Sequence, residues 1–490
     1  MVTSNLYRGF SIAIISIAFA LGIILYPIVA VVIAALFFLA PIFLSSKDVV
    51  LRVFLYVLGI GLLGYSFLGK GFAYCGLPPF FIGEALLGFG IIVFIAAGEI
   101  PSIRRSFLFW MVVLLLIIGS WGTINHINEY GILALRDAVI WGYAVFAVFV
   151  AAIVLRVKMI YQIIACYSRF LPWFLLWTPF AMLLYFLAYE KIPRWPVSQV
   201  PILNPKGGDI AVHLAGIMAF LVLGLHRKVL RNSTVISSLK EWSWWGLWFA
   251  GCLSIFTGRA AILTVLSVSI LLFLVHPLGR WYKAVFLGVL VVGISFVFNI
   301  EQSFVGDRTV SPEGVMRTFQ SIFSETGLGF YDGSRFWRLE WWREILDYTV
   351  FGDYFWTGKG YGVNLADDDG FQVLTEGLLR SPHNGHLTFL ARSGVPGFAA
   401  WLLLQGTFSV GLWIEYRRAR RLGRDNWAVL NLWILCYWLA FMINGAFDVF
   451  LEGPQGGIWF WCVFGFGMGV LGVQRRGEWS ALKPPVRGAA

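Results

Sequence analysis

The stretch 10-FSIAIISIAFALGIILYPIVAVVIAALFFLAPIFL-44 decides the fold class. It is too long for the apolar core of a cleaved signal peptide, which runs to about 7–15 residues. Tyr26-Pro27 interrupts it near the middle, so it reads as two membrane spans, near 9–25 and 27–44, joined by a tight turn. Similar apolar runs recur along the 490-residue chain. Charged residues make up 13% of it and hydrophobic residues 59%, with mean hydropathy +0.78. A soluble chain of this size carries about a quarter charged residues. The composition excludes a string of soluble domains and predicts an all-α polytopic membrane protein.

The other runs predict spans near 50–68, 80–98, 106–121, 138–155, 170–189, 209–226, 243–258, 260–276, 282–299, 383–415, 427–449 and 456–473, about fourteen transmembrane helices in all. The run at 383–415 is too long for one straight crossing. It either starts above the membrane or breaks at Gly394-Val395-Pro396-Gly397.

The net charge of +11 raises nucleic acid as a partner, and its distribution answers the question. Arg104-Arg105, Arg156 with Lys158, Arg227-Lys228, Arg280 with Lys283, the Arg417–Arg421 cluster and Arg475-Arg476 all fall on one side. Sorting the 37 Lys and Arg by loop puts 23 on that side and 14 on the other. Lys/Arg bias sets orientation, so the richer side is the cytoplasm and both termini lie there. The positive charge is a topology signal, and no nucleic acid is needed to explain it. The five cysteines are scattered, without CxxC or Cys/His metal spacing, and read as small buried side chains.

These assignments divide the chain into an N-terminal bundle (1–242), spans at 243–299, one long outer connection (300–382), C-terminal spans (383–473) and a cytoplasmic tail (474–490). The connection holds 13 acidic and 7 basic residues and is rich in Trp, Tyr and Gly. A connection of this length is usually functional. Within it, 335-RFWRLEWWREILDY-348 has helical apolar spacing and predicts an amphipathic helix near the outer interface. The tryptophans read first as interface anchors, with Trp337, Trp341, Trp342 and Trp356 also able to offer flat faces to sugar rings.

The connection returns to the membrane at 381-SPHNGHLTFLARSG-394. His383 and His386, spaced i, i+3, could share a helix face. A metal would need further ligands, and the nearest, 367-DDD-369 and Glu376, read better as a solvated turn, so no metal site is expected. Arg259 lies at the outer end of one span, where a lone arginine would be a snorkelling anchor. Arg335 and Arg338 lie on the same side in the connection, Arg392 lies further along the returning stretch, and Asp448 and Glu452 lie at the outer turn between the last two spans. A guanidinium grips phosphate with a two-pronged fork. Arginines beside a neutral imidazole suit a diphosphate leaving group and a hydroxyl to be deprotonated.

At these residues the chain resembles a family. His383-Asn384, nine residues, then Gly394 and Gly397 is similar to the H-N-x9-G-x-x-G pattern of bacterial O-antigen ligases. Gly258-Arg259, Ser334-Arg335 with Trp342, and 358-GKGYG-362 follow the layout of the wider O-antigen ligase and polymerase superfamily. The likeness covers roughly 250–470. Over the first 250 residues it is architectural, where 69-GKGFAYCGLPPFFIGEALL-87 resembles exopolysaccharide polymerases.

The resemblance implies a C-type glycosyltransferase-like fold and an inner-membrane enzyme whose active site faces the periplasm. The implied donor is a glycan on undecaprenyl diphosphate. The implied acceptor hydroxyl belongs to lipid A–core, to another lipid-linked glycan or, in relatives, to a protein. Transfer would invert the anomeric centre without metal or other cofactor. His383 would be the base, and Arg259, Arg335 and Arg338 would bind the donor diphosphate. Asn384, Asp448 and Glu452 would hold or orient the acceptor, with Asn384 also a candidate helix cap. His386, one turn deeper, reads as a structural hydrogen-bond partner. A chain-length regulator or a flippase are the protein partners implied, besides membrane lipids. Ligase and polymerase share this chemistry, and both stand. The alternative from another class is a lipid-linked oligosaccharide flippase, which would more often show internal repeats and charges spread along mid-span.

Overall fold

The computed structural model describes residues 46–482 except 79, 99–102, 229–237, 256–257, 276–280, 282–283, 286, 289–301, 304–308, 311, 325–328 and 374–378. The helices of the first half are α1 Lys47–Leu68, α2 Ile82–Ala97, α3 Phe107–Tyr130, α4 Ile132–Gly142, α5 Ala144–Val157, α6 Ile160–Ala188 and α7 Gly207–Val222. Then come α8 Ser238–Ile255, α9 Arg259–Val275, and two helices in the long connection, α10 Pro312–Phe323 and α11 Gly329–Val350. The chain closes with α12 Gly385–Arg421, α13 Asp425–Gly445 and α14 Pro454–Arg475. Two short antiparallel ribbons, Gly76–Leu77 with Phe80–Phe81 and Gln302–Ser303 with Thr309–Val310, sit in loops.

Among the described residues, seven helical stretches are long and apolar enough to cross a membrane: α1, α3, α4 with α5, α6, α12, α13 and α14. Three shorter apolar helices, α2, α7 and α9, join them. The predicted spans 9–25 and 27–44 lie outside the described residues, and 282–299 almost wholly so. Several helices outrun their apolar runs. α3 continues past 121 to Tyr130, and α6 starts at Ile160 instead of near 170. Hydropathy marks membrane thickness, whereas a helix runs until its backbone is broken. α3 stops at Gly131, whose φ of 54 an L side chain rarely adopts.

The core is built on α7, buried at every position from Asp209 to Val222. A helix apolar nearly all round belongs inside. α9 and α13 pack on α7, and α5 packs on α14. The last pair approaches closely because α14 offers glycines. A Cβ on Gly465 would lie 2.4 Å from the Ala147 carbonyl, and one on Gly469 2.6 Å from Val154. Small residues at such spacing let membrane helices gain dispersion contact without a hydrophobic drive between them. Large apolar side chains on α6, such as Trp173, Leu176 and Leu187, stay exposed, as lipid-facing residues do.

Polar pairs gather at two ends of the bundle. At one end Asp48 meets Arg156 at 2.6 Å, Lys158 meets Glu478 at 2.9 Å, and Arg227 bonds Glu241. The other end carries the long connection and the returning stretch. There α11 is a helix, as its spacing predicts, but it is more than an interfacial float. Trp341 and Ile345 are fully buried against Leu365, Leu379, Leu390 and Ala391. The acidic triplet is also no simple solvated turn. Asp369 is buried, accepts Trp341 Nε1 at 2.6 Å and pairs with Lys359, whose ammonium lies 4.1 Å from the Tyr348 ring.

α12 breaks at Gly394, with φ 63 and ψ −172. A Cβ there would meet the Phe355 carbonyl at 2.5 Å. The close neighbour is therefore the 355–358 turn, where the motif suggests an adjoining span. Gly397 does face α3, with Ile118 3.5 Å from its would-be Cβ.

Candidate active site

The returning stretch is anchored at both ends by a residue far away in sequence. Asp137 on α4 accepts Arg380 Nη2 and Arg392 Nη2, each at 3.0 Å, and the Gly362 N–H at 3.1 Å. Arg392 thus pairs with Asp137, not with Asp448 or Glu452. Between the anchors, Asn384 caps α12, its Oδ1 accepting the N–H groups of His386 and Leu387 at 3.1 Å each. That settles the cap side of its two expected roles.

His383 precedes the cap and is not helical. Its φ is 54, in the left-handed region. The preceding carbonyl, Pro382 O, accepts Trp342 Nε1 at 2.8 Å, which helps hold the turn. Because His383 lies outside the helix, the two histidines do not share a face. His386 points into the bundle, where Trp401 Nε1 donates to its Nδ1 at 3.1 Å and its Nε2 meets the Met442 carbonyl at 2.9 Å. Those partners make it a neutral Nε2–H tautomer with a structural bond at each nitrogen.

His383 turns instead toward Asp448. Nδ1 lies 3.7 Å from Asp448 Oδ1, and the ring sits 6.3 Å from that of Trp337. Asp448 Oδ1 also accepts Lys206 Nζ at 2.6 Å and the Val449 N–H at 2.8 Å. Burial works against ionising Asp448, but His383 and Lys206 outweigh it and hold the carboxyl well below the usual carboxylate range. Burial likewise opposes charge on Lys206, and the carboxylates Asp448 and Asp209 outweigh it and raise its pKa. Glu452, one helical turn on, is buried and accepts Thr388 Oγ1 at 2.7 Å; burial pushes its carboxyl up.

The arginines arrive from two directions. Arg338 Nη1 donates to the Phe447 carbonyl at 3.0 Å, beside Asp448. Arg335 lies one turn earlier on the same helix, at i, i+3 spacing. Arg259 opens α9 and donates from Nε to Ser321 Oγ of α10 at 2.8 Å. α9 packs on α7, and Ile255 just before it lies against Gly207, next to Lys206. His383 thus faces Asp448, and Arg338 bonds the carbonyl of the residue just before Asp448. Arg335 shares the helix of Arg338, and the bond of Arg259 is to Ser321 on α10.

Lys206 and Asp209 are the site residues the sequence reading missed. The signal was 204-NPKGGDI-210, a cation and a carboxylate bracketing two glycines at the outer mouth of an apolar run.

No curated protein matches this chain. Residues 244–402 match the family model described as O-antigen ligase, a span that holds Arg259, Arg335, Arg338 and His383, reaches from α8 into α12, and supports a likeness to the O-antigen ligase and polymerase superfamily.

Proposed function

We propose that this protein is a glycosyltransferase of the O-antigen ligase/polymerase type. It moves a glycan from undecaprenyl diphosphate to a hydroxyl of lipid A–core, or of another lipid-linked glycan, at the periplasmic face of the inner membrane. The observation that carries the reading is His383, held in a left-handed turn with Nδ1 toward a buried carboxylate, Asp448, whose preceding residue accepts a bond from Arg338.

In the reaction the acceptor oxygen bonds to the anomeric carbon opposite the diphosphate. The bond from that carbon to the diphosphate oxygen breaks, its electron pair leaves with the diphosphate, and the configuration inverts. His383 takes the hydroxyl proton at Nε2. Asp448 favours the tautomer with the proton on Nδ1, which leaves the Nε2 lone pair as base. Arg259, Arg335 and Arg338 receive the charge that develops on the leaving group. Guanidiniums do here what a divalent cation does elsewhere, so transfer persists in EDTA. Loss on chelation with recovery on Mg²⁺ or Mn²⁺ would overturn that part.

The test is turnover of a defined undecaprenyl-diphosphate glycan by the purified protein, with and without lipid A–core. His383→Ala, checked for insertion and expression, loses a factor of roughly 10²–10⁴ in rate. A well-folded variant within a few-fold of the parent removes His383 as the base. Product only with lipid A–core marks a ligase, and product without it a polymerase.

A further inference from the structure

Asp448 Oδ1 is a contested atom. Lys206 Nζ sits on it at 2.6 Å and the Val449 N–H at 2.8 Å, while His383 Nδ1 stands at 3.7 Å. Charge-assisted N–H···O bonds form at about 2.7–2.9 Å. His383 is thus within ion-pair range and short of a hydrogen bond. Lys206 occupies the oxygen that would otherwise orient the imidazole. The Asp448 side chain is only 13% exposed, whereas those of Lys206 and His383 are 35% and 29% exposed. The two groups competing for the carboxylate are the ones open to an arriving ligand.

Behind Lys206 lies Asp209, buried, with the Gln455 side chain beside its carboxyl. Lys206, Lys70 and Asp448 all lie within its electrostatic reach. Asp209 adds to the influence of Asp448 in favouring the charged form of Lys206. Gly208 between them sits close against two polar side chains. A Cβ there would lie 2.8 Å from Asn444 Oδ1 and 3.3 Å from Asp448 Oδ2. The start of α7 therefore lies against Asp448.

We propose that Lys206 is a donor-responsive clamp on Asp448. Without donor its ammonium occupies Oδ1. When the diphosphate of a lipid-linked donor arrives, the ammonium shifts onto phosphate oxygens and leaves Oδ1 to the Nδ1–H of His383. A diphosphate offers more negative charge and more acceptor oxygens than one carboxylate. Lysine suits the task because its charge is a point on a flexible stem, free of the fixed fork of arginine. Donor binding then completes the base, and an acceptor hydroxyl is activated only when there is a glycan to receive. The inference rests on His383 as base.

The experiment is steady-state kinetics of the full-length protein in nanodiscs, with an undecaprenyl-diphosphate glycan as donor and inorganic pyrophosphate as inhibitor. Lys206→Met removes the charge at similar length, and Lys206→Arg keeps it. The clamp predicts that Lys206→Met raises donor KM about ten-fold or more, the worth of a charge-assisted hydrogen bond. Pyrophosphate inhibition weakens in parallel. kcat falls by a smaller factor, because Asp448 remains free for His383, and Lys206→Arg, which keeps the charge on a stiffer fork, loses less in donor KM than Lys206→Met. If Lys206→Met fails to insert, Lys206→Gln carries the same predicted split. A merely structural Lys206 gives the reverse: kcat and Tm fall together while donor KM and pyrophosphate inhibition stay within two-fold. That result overturns the clamp. His383→Ala run alongside separates the two readings. If it is inactive while Lys206→Met keeps its donor KM, the clamp alone is wrong. If it is active, base and clamp fall together.

Discussion

His383 sits at φ 54, which costs most non-glycine residues about 1–2 kcal/mol and costs asparagine less. The chemistry wants imidazole there and the backbone would accept something else. His383→Asn should therefore melt at or above the parent temperature and still lose the roughly 10²–10⁴ of rate that the alanine variant loses. Thermal denaturation in detergent beside a transfer assay checks both halves. An Asn variant that melts several degrees low would show that the left-handed turn does not set the stability at this position. Asp448 gives a pH signature. Its depressed pKa contributes stability that is present above the ordinary value of 3.8 and lost as pH falls through the folded-state value. Lys206, with its pKa raised, contributes stability that is present below 10.5 and lost as pH rises through its folded-state value. The gap in Tm between the parent and Asp448→Asn should hold steady between about pH 5 and 9 and narrow below the carboxylate range. A gap that closes near pH 6 would mean the pair is not what stabilises the turn. The outward histidine beside carboxylates was legible in the sequence, because topology alone gathers those residues at one face. The positive φ was not, since nothing about histidine encodes it. The Lys206–Asp448 bond was not either, because it joins residues 242 positions apart.

Among the elements, α12 shows what local pattern can and cannot carry. Its break was legible in Gly394-Val395-Pro396-Gly397, where a flexible glycine and a ring without an N–H fall together. α11 was legible from its apolar spacing, though it runs to 329–350 and buries Trp341 against the connection. The anchor of the returning stretch was not legible. Asp137, Arg380 and Arg392 read singly as ordinary interfacial charges, and only the tertiary fold makes them one hub. All three side chains are largely buried, so removing the carboxylate leaves two buried guanidiniums with only backbone carbonyls to bond. Asp137→Ala should cost about 3–5 kcal/mol, the usual penalty for breaking a buried pair. Activity should fall with it, because His383 hangs between the two arginines. Asp137→Asn, whose Oδ1 still accepts but carries no charge, should lose less. Unfolding followed by tryptophan fluorescence would test the ranking, and an alanine variant melting within a degree of the parent would show that the hub does not hold the stretch.

Across the whole molecule, charge and contact divide the chain in the same way. The residues of the Asp48–Arg156, Lys158–Glu478 and Arg227–Glu241 pairs all fall on the lysine- and arginine-rich side of the sequence-based topology. The residues of the Lys206–Asp448, Arg380–Asp137 and Lys359–Asp369 pairs all fall on the other. An odd error in the span count between any two partners would put them on opposite faces and make such a pair impossible across a bilayer of about 30 Å. The bias toward the first side should place it in the cytoplasm. Single cysteines report this directly once Cys75, Cys166, Cys252, Cys436 and Cys462 are replaced. Phe351, 80% exposed at the end of α11, and Leu422, 54% exposed after α12, are the two probe positions. Phe351→Cys should react with a membrane-impermeant maleimide in intact spheroplasts, and Leu422→Cys only after lysis. The reverse pattern would invert the molecule and put His383 in the cytoplasm. Equal labelling of both before lysis would mean that the stretch from α11 to the end of α12 does not cross the membrane, and the site would lose the face on which a periplasmic donor could reach it.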